Sequence, residues 1–322
     1  MYNIKLKDFK LAYEKIKPYI KNTKLQHYKD NIYLKKESNQ ISGSFKWSGV
    51  LHSIIIIFDE LLIHKKSPFF VVTQSTGNHG IATLKAINMM IEIYTKKYPN
   101  YKYLFDNIIA GIFTNKLIQK NKLDKMNIEL NKFKNKKSFI RKDFENYEES
   151  LNARLEFLKK NDGVYVEHGG KNILLGYGAL AFQINQQIEK NKSIAFITTV
   201  GAGGPVGIAL CLNYLKNIKF YIVQPKQYDA FIRSINSDKI QYNKNNNIIV
   251  SDGIAVDKPE EFALNIAKNI ITKCLTVKVS DVLKIKKKTN LGNSSCIALS
   301  GINLIDYKKT DYIIVLDCEG NS

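Results

Sequence analysis

Residues 33–49 read YLKKESNQISGSFKWSG, and one residue among them, Lys46, decides how the chain is read. Lys35 and Lys36 stand in a run of charge. Lys46 instead follows a Ser-Gly-Ser-Phe turn and opens an apolar helical stretch. Gly43 permits a tight backbone, Ser42 and Ser44 can cap the helix that follows, and Phe45 can pack beneath it. A lysine enclosed in this way loses hydration. Its pKa falls, and its amine becomes a nucleophile able to condense with a carbonyl. In a chain with 49 Lys and Arg a single lysine is ordinarily solvated surface charge, so the remaining sequence must decide.

The chain has 322 residues and a formal net charge of +20. That length suits a large domain or two smaller ones and can bury a sizeable core. The positive charge is spread with Asn and Ile along the whole length, as in residues 115–137, rather than gathered in a patch. No nucleic-acid-binding motif accompanies it, so nucleic acid is not expected as a partner. A field drawing in a small acidic substrate fits better. The four cysteines, Cys211, Cys274, Cys296 and Cys318, form no C-x-x-C pair and no metal spacing, and no metal is expected. The N-terminal stretch is charged and amphipathic, without the apolar core of a signal peptide, and the apolar runs read as too short for a membrane span. A reducing, cytoplasmic setting is the expectation.

Short β-branched or aromatic runs alternate with longer helical patterns. Strands are predicted at 31–36, 69–75, 107–113, 138–142, 164–168, 193–200, 220–224, 247–253, 274–280 and 311–317. Helices are predicted at 47–64, 80–97, 115–132, 144–160, 176–190, 205–216, 258–271 and 293–308. Alternating elements with continuous apolar strands indicate an α/β protein built on parallel sheet.

Three further stretches carry chemistry. Residues 75–80, STGNHG, join the strand at 69–75 to a helix. Helix-start N–H groups with Ser75, Thr76 and Asn78 beside them make a carboxylate site, although a plain capping turn needs some of the same residues. Residues 200–207, VGAGGPVG, are a glycine-rich strand-to-helix turn without the Gly-Lys-Ser/Thr of a Walker loop. The next strand ends in Gln224 rather than an acid, so a single phosphate fits better than a dinucleotide. The last strand runs into Asp317, Cys318 and Asn321, at the end where open parallel sheets bind ligands. One cofactor asks for an aldehyde on a lysine, one phosphate, and a partner for a ring nitrogen: pyridoxal 5′-phosphate.

At this point the sequence resembles the serine/threonine dehydratase family of fold-type II pyridoxal-phosphate enzymes, which includes serine racemase. The family pattern K-x-E-x-x-Q-x-[TS]-G-S-F-K-x-R-G corresponds to residues 35–49. The motifs S-x-G-N-H (75–79), G-x-G (176–178), the glycine loop (201–204), D-G-I-A-V (252–256) and S/C-x-G-N (318–321) follow in family order. The resemblance implies the fold of tryptophan synthase β, two open twisted α/β domains with the active site between them: residues 1–67 and 151–322 as the large domain, 68–150 as a smaller inserted one. It implies that Lys46 anchors the cofactor as a Schiff base, with Phe45 beneath and Asn78 by the ring hydroxyl. Gly201, Ala202, Gly203 and Gly204 would hold the phosphate, and Cys318 would meet the ring nitrogen. Ser75, Thr76, Gly77, Asn78 and His79 would line the substrate carboxylate. A homodimer is expected from the family, and no regulatory module is expected after the core.

The implied activity is deamination of a small β-hydroxy amino acid, serine or threonine by default. Lys46 is then the base for the α-proton, and an oxoacid and ammonia are the products. A racemase of the same fold, or a degenerate binding protein, are the alternatives. Thr76 bears on the first, because a racemase needs a second acid/base; a helix-capping role for Thr76 is the favoured expectation. His79 reads as a packing residue, and His168 either closes a turn or faces the site. The chain departs from the family at Ser48, Ala202, Gln183, Gln224, Glu319 and Lys288 or Thr289. A slip of one residue in the last motif would turn Asp317, instead of Cys318, to the ring.

Overall fold

The computed structural model describes residues 4–65, 69–243, 251, 253–254, 256–306 and 308–320. Along the chain run α1 (Leu6–Ile16), β1 (Leu25–Lys29), β2 (Ile32–Lys36), α2 (Lys46–His64), β3 (Phe69–Gln74), α3 (Asn78–Lys97), α4 (Lys102–Asp106) and β4 (Ile108–Asn115). There follow α5 (Lys120–Leu130), β5 (Phe139–Phe144), α6 (Tyr147–Lys160), β6 (Gly163–Tyr165), α7 (Lys171–Gln186), β7 (Ile194–Thr198), α8 (Gly204–Lys216) and β8 (Lys219–Pro225). The chain closes with α9 (Ala230–Ser237), α10 (Glu261–Ile270), β9 (Lys273–Val277), α11 (Val279–Lys288), α12 (Asn293–Ser300) and β10 (Tyr312–Asp317).

These elements form two compact units, Met1–Gly49 with His168–Ser322, and Val50–Glu167. The first holds a six-stranded sheet in the order β1-β2-β10-β7-β8-β9. Every neighbouring pair is parallel except β1 with β2. β7 is buried at all five positions and β10 at five of six, the mark of parallel strands covered on both faces. β1, LQHYK, is mostly exposed and antiparallel, so its sequence has no apolar run to announce it. The second unit holds an all-parallel sheet, β5-β4-β3-β6, with the fully buried β4 at its centre.

Residues 151–167, expected with the large domain, pack with the smaller unit because β6 pairs with β3 and α6 lies on β3 and β4. The other division falls inside α2, after its first turn, rather than at residue 67. α2 matches the helix expected at 47–64 to within one residue, but the expectation that the apolar runs are too short for a membrane span does not hold: its 19 residues are long and apolar enough to cross one. Two thirds of that window is nevertheless buried in protein, as in the core helix of a globular fold.

The helix expected at 115–132 starts only at Lys120, because β4 runs on to Asn115, which pairs with Phe144. The helix expected at 293–308 stops at Ser300. α1, α4, α9 and α11 add to the expected set; α11 ends in three lysines, Lys286, Lys287 and Lys288, which suit a helix C-terminus and mask its apolar stripe. Most of the strand expected at 247–253 lies outside the described residues, as do Asp252, Ala255 and Asn321 of the motifs.

Candidate active site

β2, β10 and β7 are consecutive parallel strands, so their C-terminal ends share one edge of the sheet. That edge carries the turn leading to Lys46, then Cys318, then the glycine loop. Backbone bonds stitch the first two together. The Phe45 N–H donates to the Cys318 carbonyl at 2.9 Å, and Ser44 bridges to Glu319. Lys46 is thereby the first residue of α2, held at the end of a strand more than 270 residues away in sequence.

The Lys46 amine lies 4.7 Å from the centre of the Phe45 ring and 6.0 Å from that of Tyr177. The side chain is half-buried, and loss of hydration around the amine pulls its pKa down from 10.5 to about 8. The Glu319 carboxylate opposes that fall. Cys318 is itself pushed well above the usual thiol range by burial, with Glu319 and Asp317 adding to the effect and Lys46 opposing it. It therefore stays a neutral thiol, hydrogen-bonded to the Leu316 carbonyl at 3.5 Å.

Asp317 is committed elsewhere. Ser295 and Ser38 donate to its two oxygens at 2.8 and 2.6 Å, and Lys36 pairs with it at 2.6 Å. This holds the register in which Cys318 and Glu319, rather than Asp317, lie beside Lys46. Behind the turn, Lys35 is fully buried and donates to the Thr23 carbonyl and to Gln183, each at 2.7 Å, with Glu37 at 3.5 Å. Gln183, where the family has glutamate, thus serves as a neutral acceptor for a buried lysine.

The glycine loop is wholly buried. A side chain at Gly201 would press on the Gly253 carbonyl at 2.6 Å, and Gly203, at φ +143°, would meet Ala263 at 2.1 Å. Only glycine suits this close approach. Gly204 starts α8; Pro205 has no N–H and the Val206 N–H bonds the Gly203 carbonyl at 3.0 Å, so the N–H groups open to a ligand belong to the loop itself. Two buried hydroxyls beside it, Thr199 two residues upstream and Tyr177 against Gly204, have no hydrogen-bond partner. Unsatisfied donors around a buried helix start fit a phosphate. Together with the low-pKa lysine and the neutral thiol, the residues present fit pyridoxal phosphate.

Gln224 bonds the Val200 carbonyl at 2.7 Å and accepts from the Ile232 N–H at 3.0 Å, tying the glycine loop to α9. Ser48 is buried and turns back to the Phe45 carbonyl at 3.4 Å. Lys288 is exposed at the end of α11, and the Thr289 hydroxyl bonds the Ile285 carbonyl at 3.0 Å.

In the second unit, residues 75–79 form the turn from β3 into α3. The capping role expected of Thr76 belongs to Ser75, whose hydroxyl accepts from the N–H groups of Gly77 and Gly80 at 3.1 and 3.0 Å. Thr76 is half-buried. His79 is buried and bonds the Val166 carbonyl through its ring at 3.3 Å, in keeping with a packing residue. The Asn78 amide oxygen accepts from the buried Lys122 at 2.7 Å. Because an ammonium only donates, the oxygen of Asn78 must face Lys122, which leaves its NH₂ turned away.

Residues 122–304, more than half of the chain, match the family described as pyridoxal-phosphate dependent enzyme. The chain belongs to that family. Its members depend on pyridoxal 5′-phosphate, so that is the cofactor of this one. Among curated relatives, the biosynthetic L-threonine dehydratase of Halalkalibacterium halodurans is 25% identical over 297 residues, covering 86% of this chain and 63% of that enzyme. Serine racemase of Rattus norvegicus is 25% identical over 232 residues, covering 70% of this chain and 60% of the racemase. The chain thus spans less than two thirds of the length of either relative. The structure of maize serine racemase superposes with a TM-score of 0.81 at 18% identity, covering 100% of this chain and 94% of that one, which establishes the fold-type II architecture.

Sequence reading gave no role to three residues that lie against the expected ones: Tyr177 against Phe45, Glu319 beside Lys46 and Lys122 on Asn78. Tyr177 and Glu319 were visible only as departures from the family pattern. Lys122, inside a Lys/Asn-rich stretch, carried no signal at all, because its neighbours are lysines in solvent.

Proposed function

We propose that the protein is a lyase that eliminates water, or another β-substituent, from a small β-hydroxy amino acid, with L-serine or L-threonine as the default substrate. The observation that carries this reading is the Lys46 amine, with its pKa lowered to about 8, at a sheet edge shared with a neutral thiol and a buried glycine loop. Bound there, pyridoxal phosphate supplies an aldehyde and an electron-withdrawing ring that stabilises negative charge at the substrate α-carbon.

The chain's own residues do the rest. Lys46 anchors the cofactor and, once released by the incoming amino acid, takes the α-proton on Nζ. A base with a pKa near 8 is partly neutral at physiological pH and suited to that transfer. The N–H groups of residues 201–204 bind the phosphate. Cys318, a neutral thiol, would meet the ring nitrogen without giving it a proton, which would make the ring a weaker electron sink than an acid partner would. Phe45 packs under the ring. Asn78, its amide oriented by Lys122, donates from NH₂ to the ring hydroxyl, and the turn at residues 75–79 binds the substrate carboxylate through N–H groups. A cytoplasmic homodimer is the assembly proposed.

One observation favours a second reading, amino-acid racemisation. Since Ser75 does the capping, the Thr76 hydroxyl is available as the second proton donor that a racemase requires. Incubation of the purified protein with L-serine, D-serine, L-threonine and 3-hydroxyaspartate separates the two. Oxoacid with ammonia supports the lyase. Appearance of the enantiomer supports the racemase, and then Thr76→Ala should abolish inversion. No turnover of any of the four sinks both.

A further inference from the structure

Tyr177 occupies a position for which the proposed chemistry has no use. It lies on α7 between Gly176 and Gly178, and its side chain is completely buried. Its hydroxyl has no hydrogen-bond partner. Burial also raises its pKa far above that of a free phenol, so the group is a neutral donor and not a base.

The orientation of the ring is informative. A side chain added at Gly49 would lie 2.4 Å from Cε1 and 2.6 Å from Cζ, and one added at Gly204 would lie 2.9 Å from Cε2. Cδ1 is as close to Gly49 as Cζ, at 2.6 Å, so one ring edge, up to the carbon that bears the hydroxyl, lies on Gly49 and the opposite Cε2 lies on Gly204. The ring is therefore wedged between the first turns of two helices, α2 of 19 residues and α8 of 13. Phe45 packs against the ring, with centroids 5.1 Å apart. The ring thus lies against the first turns of two helices, and the start of a helix favours an anion. A buried phenol left without an acceptor there is costly, and an anion at the same spot removes the cost.

We propose that the Tyr177 hydroxyl is a ligand of the cofactor's phosphate, donating a hydrogen bond to it alongside the N–H groups of residues 201–204. The proposal rests on the reading of those residues as the phosphate loop. It gives a purpose to three features at once: an orphaned buried hydroxyl, glycine at both Gly49 and Gly204, and a tyrosine in the G-x-G motif.

The test compares wild type and Tyr177→Phe for binding of pyridoxal 5′-phosphate and of pyridoxal, which lacks the phosphate. Dissociation constants are read by fluorescence, and Lys46 adducts are confirmed by borohydride trapping and mass spectrometry. A hydrogen bond to a charged group should be worth at least about tenfold in affinity. The variant should therefore bind pyridoxal phosphate about tenfold or more weakly and bind pyridoxal as wild type does. The cofactor-free variant should melt no lower than wild type, since it has lost only an unsatisfied hydroxyl. Equal affinity of both proteins for pyridoxal phosphate overturns the proposal. Equal weakening toward both ligands also overturns it, because Tyr177 would then act by packing. Failure of the wild type itself to form a Lys46 adduct would instead overturn the site reading beneath it.

Discussion

The Lys46 region and the turn at residues 75–79 are built on different principles. Lys46 is held by long-range connections: a backbone bond to Cys318, a bridge from Ser44 to Glu319, and a buried Lys35–Glu37 pair behind it that also engages Thr23 and Gln183. The 75–79 turn is capped from within, Ser75 bonding Gly77 and Gly80, while single contacts from farther along the chain, Lys122 to Asn78 and His79 to the Val166 carbonyl, steady its side chains. A covalent anchor must sit in one place with a tuned amine, which only a sheet edge with several fixed partners supplies. A carboxylate is bound well by any short turn at a helix start.

The contrast can be broken most severely at the anchor. Lys46→Ala should abolish the borohydride-trapped adduct and lower turnover by at least about 10³-fold, since the proposed anchor and the proposed proton acceptor are both lost. Mass spectrometry and an oxoacid assay check the two effects. One layer further back, Lys35→Met leaves the buried Glu37 carboxylate without its cation. It should cost about 3–5 kcal/mol in urea unfolding, because breaking a buried pair strands a charge.

The turn at residues 75–79, proposed to bind the substrate carboxylate, should respond more mildly. Ser75→Ala removes a helix cap and should cost about 1 kcal/mol, with KM rising more than kcat falls. If Ser75→Ala instead destabilised the fold as much as Lys35→Met, the distinction between a long-range and a local construction would fail.

The smallest effect concerns pH. The Lys46 pKa is lowered from 10.5 to about 8, so below pH 8 the amine is mostly charged and reacts slowly with an aldehyde. Capture of pyridoxal phosphate by the cofactor-free protein should rise roughly tenfold per pH unit up to about pH 8 and level off above it. The same shift makes the folded state bind fewer protons than the unfolded chain between about pH 8 and 10.5. Lys46 therefore weakens stability below that window, and the penalty is relieved as the pH rises through it. Glu319 raises the Lys46 pKa, so Glu319→Gln should move the break in the capture profile below pH 8. A break that moved upward would show that Glu319 does not act on the amine through its charge.

Much of this was legible from local pattern. The strand-turn-helix units around residues 75 and 201 announce themselves, because apolar runs, glycines and helix starts are short-range features. The antiparallel β1 was not legible, since an exposed edge strand needs no apolar alternation. Assigning the cap to Thr76 failed for a related reason. Adjacent hydroxyls at a helix start are equivalent in sequence, and only backbone direction decides which reaches the N–H groups.

By itself, the amino-acid sequence determined the α/β alternation and the cofactor, and it singled out the lysine and the glycine loop proposed to hold that cofactor, because each follows from residue types at fixed short spacing. Tertiary structure alone decided that Cys318 and Glu319 sit beside Lys46 while Asp317 is bound by Ser38, Ser295 and Lys36. It also decided that Tyr177 brings an unpaired hydroxyl to two helix starts. Which side chain faces a site at the end of a parallel strand depends on the register between strands that are hundreds of residues apart, and no local spacing records that register.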